Sequence, residues 1–443
     1  MEHRIMARLG TRLYRLLVIT LASFCASVHA QEAQPREKGV GEYPALSVER
    51  DWPWWRGPTR NGIAAEGPNA NVPTRWTDTE NVIWKADVPG RGHSSPVVVA
   101  GRIYLTTADE QKQAQSVVAF DAETGKQLWM TQVSRGGFPG SIHNNNTHAT
   151  PTVACDGERL YVVFHHHKAV HAAALDLEGK VVWQIKFADF DPKQYAFGYA
   201  PSPVLYRDKV LLAAESESDR SLIALTRATG KQVWRTERKV HTSYSTPLVA
   251  YVAGRDQLIT SGGDRITSYD PETGKELWSV PGTTAATCGT PTWDGDVVIA
   301  SGGFPKADTR AVKADGSGKV LWSVNQKGYE QSTLAYQGHV YFIADSNFLF
   351  CWRIGDGKEM WKQRMQGPVS ASAVVAGGHV YWANERGAVF VFKANPEKLE
   401  LVAENQLGDE SFASPAVAGG RLYLRVAHNE DGRREVLYCI GNK

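Results

Sequence analysis

The signature Gly-Lys-x-x-Trp recurs six times and constrains this chain more than any other feature. The copies are Gly125-Lys126…Trp129, Gly179-Lys180…Trp183, Gly230-Lys231…Trp234, Gly274-Lys275…Trp278, Gly318-Lys319…Trp322 and Gly357-Lys358…Trp361. Successive tryptophans lie 54, 51, 44, 44 and 39 residues apart. Each copy reads as a hairpin. An apolar run such as Val117-Val118-Ala119-Phe120 ends at Asp121, a turn passes through Gly125, and a second strand carries the Trp. Asp bonds its own backbone in such turns, and Gly supplies the positive φ. A period near 40–45 residues is that of a four-stranded propeller blade.

A second mark recurs independently. Ser95-Pro96, Thr150-Pro151, Ser202-Pro203, Thr246-Pro247, Thr290-Pro291 and Ser414-Pro415 each open an apolar stretch, and Thr333-Leu334 and Ser372-Ala373 hold the same place without Pro. Proline is tolerated at the first residue of a strand. These make eight starts. The Trp mark also reaches eight, with Trp84 ahead of the six and Leu401, in Lys398-Leu399-Glu400-Leu401, standing for the last. The chain stops before a Trp strand follows Val436-Leu437-Tyr438-Cys439. The strand around Trp84 is therefore expected to complete the final blade. The fold class is all-β: an eight-bladed β-propeller over residues 81–443, closed by an N-terminal strand, which leaves no open sheet edge.

The repeat x-D-x-x-T-G-K-x-x-W resembles that of the PQQ-like, or quinoprotein-type, β-propellers. That family includes quinone-dependent alcohol dehydrogenases of the periplasm and BamB-like exported scaffolds, so the likeness implies a fold and leaves activity open. The Trp52-Pro53-Trp54-Trp55-Arg56-Gly57-Pro58 start is similar to exported PQQ-like proteins. The dehydrogenases hold PQQ over a Trp with Ca²⁺ on Glu, Asn and Asp, and commonly carry adjacent cysteines. Here no two cysteines are adjacent and no C-x-x-C-H exists.

The flanks read differently. Residues 1–30 have the form of a secretory signal: Arg4, Arg8, Arg12 and Arg15 precede the apolar Leu16–Val28, and Val28-His29-Ala30 fits a cleavage site. Cys25 offers a lipidated alternative, which the bulk of Phe24 disfavours. Cleavage turns the formal charge from +2 to −1, and no later segment is apolar enough to span a membrane. Residues 31–50 read as a flexible leader, and 51–80 as a Trp-rich extension packed on the propeller. With 49 basic and 47 acidic residues there is no basic stripe for nucleic acid. Cys155, Cys288, Cys351 and Cys439 sit in separate repeats, and their pairing is not decided by sequence.

The candidate site follows from propeller geometry. Three residues before each Pro, or its replacement, stand His93, His148, Ala200, Tyr244, Cys288, Gln331, Ser370 and Phe412. The next positions are uniformly small, as expected where eight inner strands converge. The varied ring is expected at the channel mouth, with His93, His148, Tyr244, Gln331 and Phe412, and Asn145 and Glu330 beside them, as binding candidates. His143, His148, His165, His167 and His171 are the candidate metal ligands, imidazole suiting Zn²⁺, Cu²⁺ or Ni²⁺. The structural alternative is that these are solvated loop histidines. The reading preferred from sequence is a monomeric, non-catalytic scaffold, periplasmic or secreted, that binds a protein partner in the cell envelope without a cofactor. A PQQ- and Ca²⁺-dependent oxidoreductase and a metal- or carbohydrate-binding propeller are the alternatives.

Overall fold

A computed structural model describes residues 43–67, 70–238 and 243–442; residues 1–30, read above as a signal, and most of the stretch read as a leader lie outside them. Among the described residues, 32 strands form eight four-stranded sheets. Seven sheets use consecutive strands, over residues 97–135, 154–189, 204–237, 248–281, 292–324, 334–364 and 374–406. The eighth joins Ala416–Ala418, Arg421–His428 and Arg434–Ile440 to the N-terminal strand Val82–Val88. Trp84 pairs with Cys439 there, so the chain is an eight-bladed β-propeller closed by its N-terminal strand.

The hairpin turns form as their residues require. Asp121 Oδ1 accepts the Glu123 and Thr124 N–H groups at 3.1 and 2.8 Å and the Thr124 hydroxyl at 2.7 Å. Gly125 then adopts φ +72°. The same glycine also meets the blade before it. A Cβ on Gly125 would lie 2.6 Å from the Trp84 ring, on Gly230 2.8 Å from Trp183, and on Gly357 2.5 Å from Trp322. The indole N–H closes the contact, donating to a carbonyl in the next blade's turn: Trp84 to Ala122 at 3.1 Å, Trp183 to Arg227 at 2.9 Å, Trp322 to Ile354 at 2.7 Å. Gly and Trp recur together because five of the six glycines, all but Gly318, are the seat of a neighbour's Trp. Trp278 departs from the rule and donates to Gln257 Oε1 of its own blade at 2.7 Å.

The seventh blade corrects one expectation. Its outer strand, Leu401–Gln406, pairs Ala403 with Val391, the register that sets Trp361 on Cys351 one blade earlier. The Trp position is therefore Ala403, and Leu401 is 51% exposed. The loop before this strand is longer than the other turns and shifts the match by two residues. Trp76 of the extension fills the gap. It is 3% exposed and stacks on Tyr381 at 6.4 Å, beside Ala403 in the same core cluster. Elsewhere the equivalent Tyr meets its own blade's Trp, as Tyr104 does Trp129 at 6.0 Å. Asn405 pins the extension, accepting the Trp76 N–H and donating to the Thr74 carbonyl, both at 3.0 Å.

Packing begins before the extension. Tyr43, within the stretch read as a leader, is buried edge-on to Trp54 at 5.6 Å, with Leu46 and Val48 against the same cluster. Three apolar side chains in a polar run are enough to anchor it.

Trp76→Ala should lower stability by about 3–5 kcal/mol, the range for emptying a packed aromatic site. Leu401→Ala should change it by no more than about 0.5 kcal/mol. Urea unfolding of the two variants checks the assignment, and equal losses would return the Trp position to Leu401.

Candidate functional site

The first residues of the inner strands build the site. Around the axis a backbone N–H of one blade donates to a hydroxyl of the next: Ser95 to Thr152 Oγ1 at 3.0 Å, Thr152 to Ser202 Oγ and Ser202 to Thr246 Oγ1 at 2.9 Å. The series resumes from Thr290 to Ser332 at 3.0 Å, Ser332 to Ser372 at 2.9 Å and Ser372 to Ser414 at 2.8 Å. Arg425 bridges the closing junction, donating to Ser94 Oγ at 3.2 Å and the Thr106 carbonyl at 2.8 Å while paired with Glu435 at 2.6 Å. The Ser/Thr preceding each Pro was visible in the sequence, yet only the Pro drew a reading. The hydroxyl belt is what that mark encodes, together with its downstream partner Thr152. The small ring is confirmed as packing: a Cβ on Gly289 would lie 2.7 Å from the Gln331 carbonyl.

The Trp-rich extension closes one end of the channel. Trp52 exchanges backbone bonds with Val98, and Cys155 donates to the Pro53 carbonyl at 2.8 Å. Arg56 donates to the Ala373 carbonyl at 2.7 Å and to those of Thr333 and Asn61 at 3.0 Å. Arg60 reaches the Leu205 carbonyl at 2.6 Å, and Asn61 the Trp293 carbonyl at 2.7 Å. Six blades are thus tied to one segment. Burial pushes the Arg56 guanidinium down to about 9. Trp55 donates to Thr290 Oγ1 at 2.8 Å and lines a central cavity of about 140 Å³.

The predicted ring divides around that cavity. His93 and Phe412 line it and stack at 4.5 Å, and Asn145 and Glu330 line it too. Tyr244 lines it but is 3% exposed, its hydroxyl donating to the Tyr195 carbonyl beneath Phe197. Gln331 is buried away from the lining, with Nε2 donating to the Ile343 carbonyl at 2.6 Å. His148 stacks under Phe138 at 4.1 Å and also misses it. The long loops fold over these three positions. What the mouth presents instead is an aromatic arc. His143, Phe197, Tyr195, Phe304 and Tyr329 follow one another at ring separations of 5.4, 5.9, 5.1 and 6.3 Å. Phe304 is 39% exposed. Tyr195, Phe197, Phe304 and Tyr329 were missed in the sequence, although loop 188–199 was long enough to mark it.

The candidate metal ligands do not converge. His165 Nε2 bonds the Phe190 carbonyl at 3.0 Å, His166 Nδ1 meets His167 Nδ1 at 2.9 Å, and His171 stacks on His166 at 3.9 Å and 9°. Parallel rings point their in-plane lone pairs side by side, away from any common ion. Among the described residues no group of three or more His, Cys, Asp or Glu could hold a metal ion. All four cysteines named above are free thiols.

The cavity is close to neutral. Among the described residues no Lys or Arg lines it, and Glu330 is the one carboxyl. Burial pushes Glu330 up to about 7, helped by Glu385 and Asp345 and opposed by a hydrogen bond with Ser370. Burial also holds His93 well below the usual imidazole range, with Arg91, Arg425 and Arg433 adding to it. A Ca²⁺-bound quinone carrying carboxylates needs several hard oxygen ligands and compensating cations. A lining with one carboxyl and no cation does not fit that pair.

Eight four-stranded blades around a channel define a β-propeller. A family described as "Outer membrane protein assembly factor BamB" matches residues 74–218, 218–346, 306–398 and 353–436, and the chain belongs to it. The BamB of Yersinia pestis is 25% identical over 339 residues, 70% of this chain and 77% of that protein. The BamB of Alkalilimnicola ehrlichii is 30% identical over 127 residues, 28% of this chain and 32% of that one. Among solved structures, BamB from Moraxella catarrhalis superposes with a TM-score of 0.58 at 15% identity, over 81% of this chain and 99% of that chain. Quinohemoprotein alcohol dehydrogenase from Comamonas testosteroni gives 0.63 at 14%, over 92% and 83%. At such identities the likeness is one of fold.

Glu330 makes the fold pH-sensitive. Its carboxyl binds a proton more tightly folded than unfolded, so its contribution is full below about pH 4.5 and is lost as pH rises through about 7. Glu330→Gln should therefore be more stable than the parent at pH 8, by on the order of 2 kcal/mol, and indistinguishable at pH 4.5. Thermal melts at the two pH values test this.

Proposed function

We propose that this chain is an exported, non-catalytic scaffold of the cell envelope that holds a protein partner against the channel-mouth face. The observation that carries the reading is the aromatic arc with Phe304 exposed at its centre, since aromatics dominate binding hot spots. Family membership supports it, relatives being described as outer membrane protein assembly factors. On this reading residues 1–30 direct export and are removed, and the mature chain works as a monomer in the periplasm or outside the cell. Among the described residues no helix is long and apolar enough to cross a membrane. A rigid ring with loops gathered at one face suits capture of a partner segment.

The oxidoreductase reading has Trp55 lining the channel in its favour and the cavity's charge against it. Adding PQQ and Ca²⁺ to the purified protein should leave its absorbance the plain sum of the components.

Tyr195→Ser with Phe304→Ala should weaken capture of envelope proteins at least tenfold, with an unchanged circular-dichroism melt. Pull-down from envelope extracts measures it. Undiminished capture, lost instead on changing the Asp270–Lys275 turn, would move the interface to another face.

A further inference from the structure

The cavity below the aromatic arc has a chemistry of its own. Thr152, Ser202, Thr246 and Ser414 all line it. Each hydroxyl already accepts a backbone N–H from the preceding blade. With that lone pair used, each retains an O–H, and no described residue accepts any of these four protons. A belt of donors therefore surrounds the space. His93 Nε2 is buried without a partner. Trp55, its N–H committed to Thr290, contributes its ring. The extension closes the far end, so the space opens from the mouth alone.

These features restrict what fits. An apolar guest would leave the hydroxyls and His93 without partners, at a cost for each. A phenol offers one oxygen to four donors. An anion would meet Glu330 and, among the described residues, no cation. A space of about 140 Å³ holds on the order of ten non-hydrogen atoms. A sugar ring answers every requirement: it has an apolar face for an indole, oxygens to accept from the belt, hydroxyls to donate to Glu330 or His93, and no charge. We propose that the cavity is a binding site for an uncharged sugar ring, laid on Trp55 and held by the Thr152, Ser202, Thr246 and Ser414 hydroxyls. The site borders the arc, sharing His143, Phe197 and Tyr329 with it, while the belt hydroxyls that define it take no part in the protein-partner reading.

Titration calorimetry of the mature chain with glucose, N-acetylglucosamine, glucuronate, phenol and inorganic phosphate tests the proposal. At least one of the two neutral sugars should bind saturably with a Kd of about 1 mM or tighter. Glucuronate should bind at least tenfold more weakly, and phenol and phosphate not at all. Thr246→Val, close in shape and lacking the donor, should weaken the sugar at least fivefold. Ser414→Ala, on the opposite side of the belt, should do likewise, so that one destabilised variant does not leave the question open. Failure of both neutral sugars to saturate at about 50 mM would overturn the proposal. So would equal binding of glucuronate or phosphate, or unchanged affinity in two folded variants.

Discussion

The structure depends on one contact repeated around a ring: a tryptophan of one blade pressed on the turn glycine of the next. The contact couples local conformation to assembly. The glycine is required first by the turn, at φ near +72°, and again because a Cβ would enter the neighbouring indole. The indole N–H then caps a carbonyl that the turn leaves open. Neither partner has its role within its own blade alone, and a single blade could not bury its faces. The hydroxyl belt repeats the logic on the axis, where at six of the eight junctions a blade's N–H is satisfied by a hydroxyl of the next. The blades are thus joined at the rim by apolar contact and at the hub by hydrogen bonds.

A ring built this way has a seam, and the N-terminal region is spent on seams. Val82–Val88 supplies the last outer strand. Trp76 restores the aromatic that the seventh blade lacks. Arg56, Arg60 and Asn61 satisfy five carbonyls at four inner strands, which a plain channel would leave to water. Burial of two guanidiniums is costly unless their donors are used, and Arg56 reaches three carbonyls and Arg60 one. The extension is therefore part of the propeller, and it turns a through-channel into a cavity with one mouth.

Much of this was legible in the sequence. The turn and strand chemistry that makes a blade is local, so blade number, strand count and closure by Trp84 followed from two repeated marks. What escaped was non-local. Leu401 was placed by counting residues, but register is set by pairing with Val391 and Phe392, and a longer loop defeats the count. The replacement of a repeat's Trp by Trp76, over 300 residues earlier in the chain, has no signature in the repeat itself. At the site, His93, Phe412, Asn145 and Glu330 fell where the inner-strand geometry put them. Tyr244 and Gln331 are buried and His148 is half-covered under Phe138, because loops whose paths are not periodic fold over them. Histidines close in sequence were also close in space, yet they stack, and proximity without convergent lone pairs makes no metal site.

The division of the mouth into an arc above and a cavity below follows from the same constraint. Eight inner strands converging on an axis admit only small groups at one level, so Ser, Ala and Gly occupy it. One step outward the circumference grows, the ring is free to vary, and the loops that rise from it carry the aromatics. One step inward the Thr152, Ser202, Thr246 and Ser414 hydroxyls face the cavity that His93, Tyr244 and Phe412 also line. The floor then has to come from elsewhere in the chain, and Trp55 provides it. A propeller with an open channel would offer a partner only its rim. Closing the channel from behind gives this one both an aromatic rim and a confined space lined by aromatic rings as well as hydroxyls. The two share a border, since His143, Phe197 and Tyr329 of the arc also line the cavity.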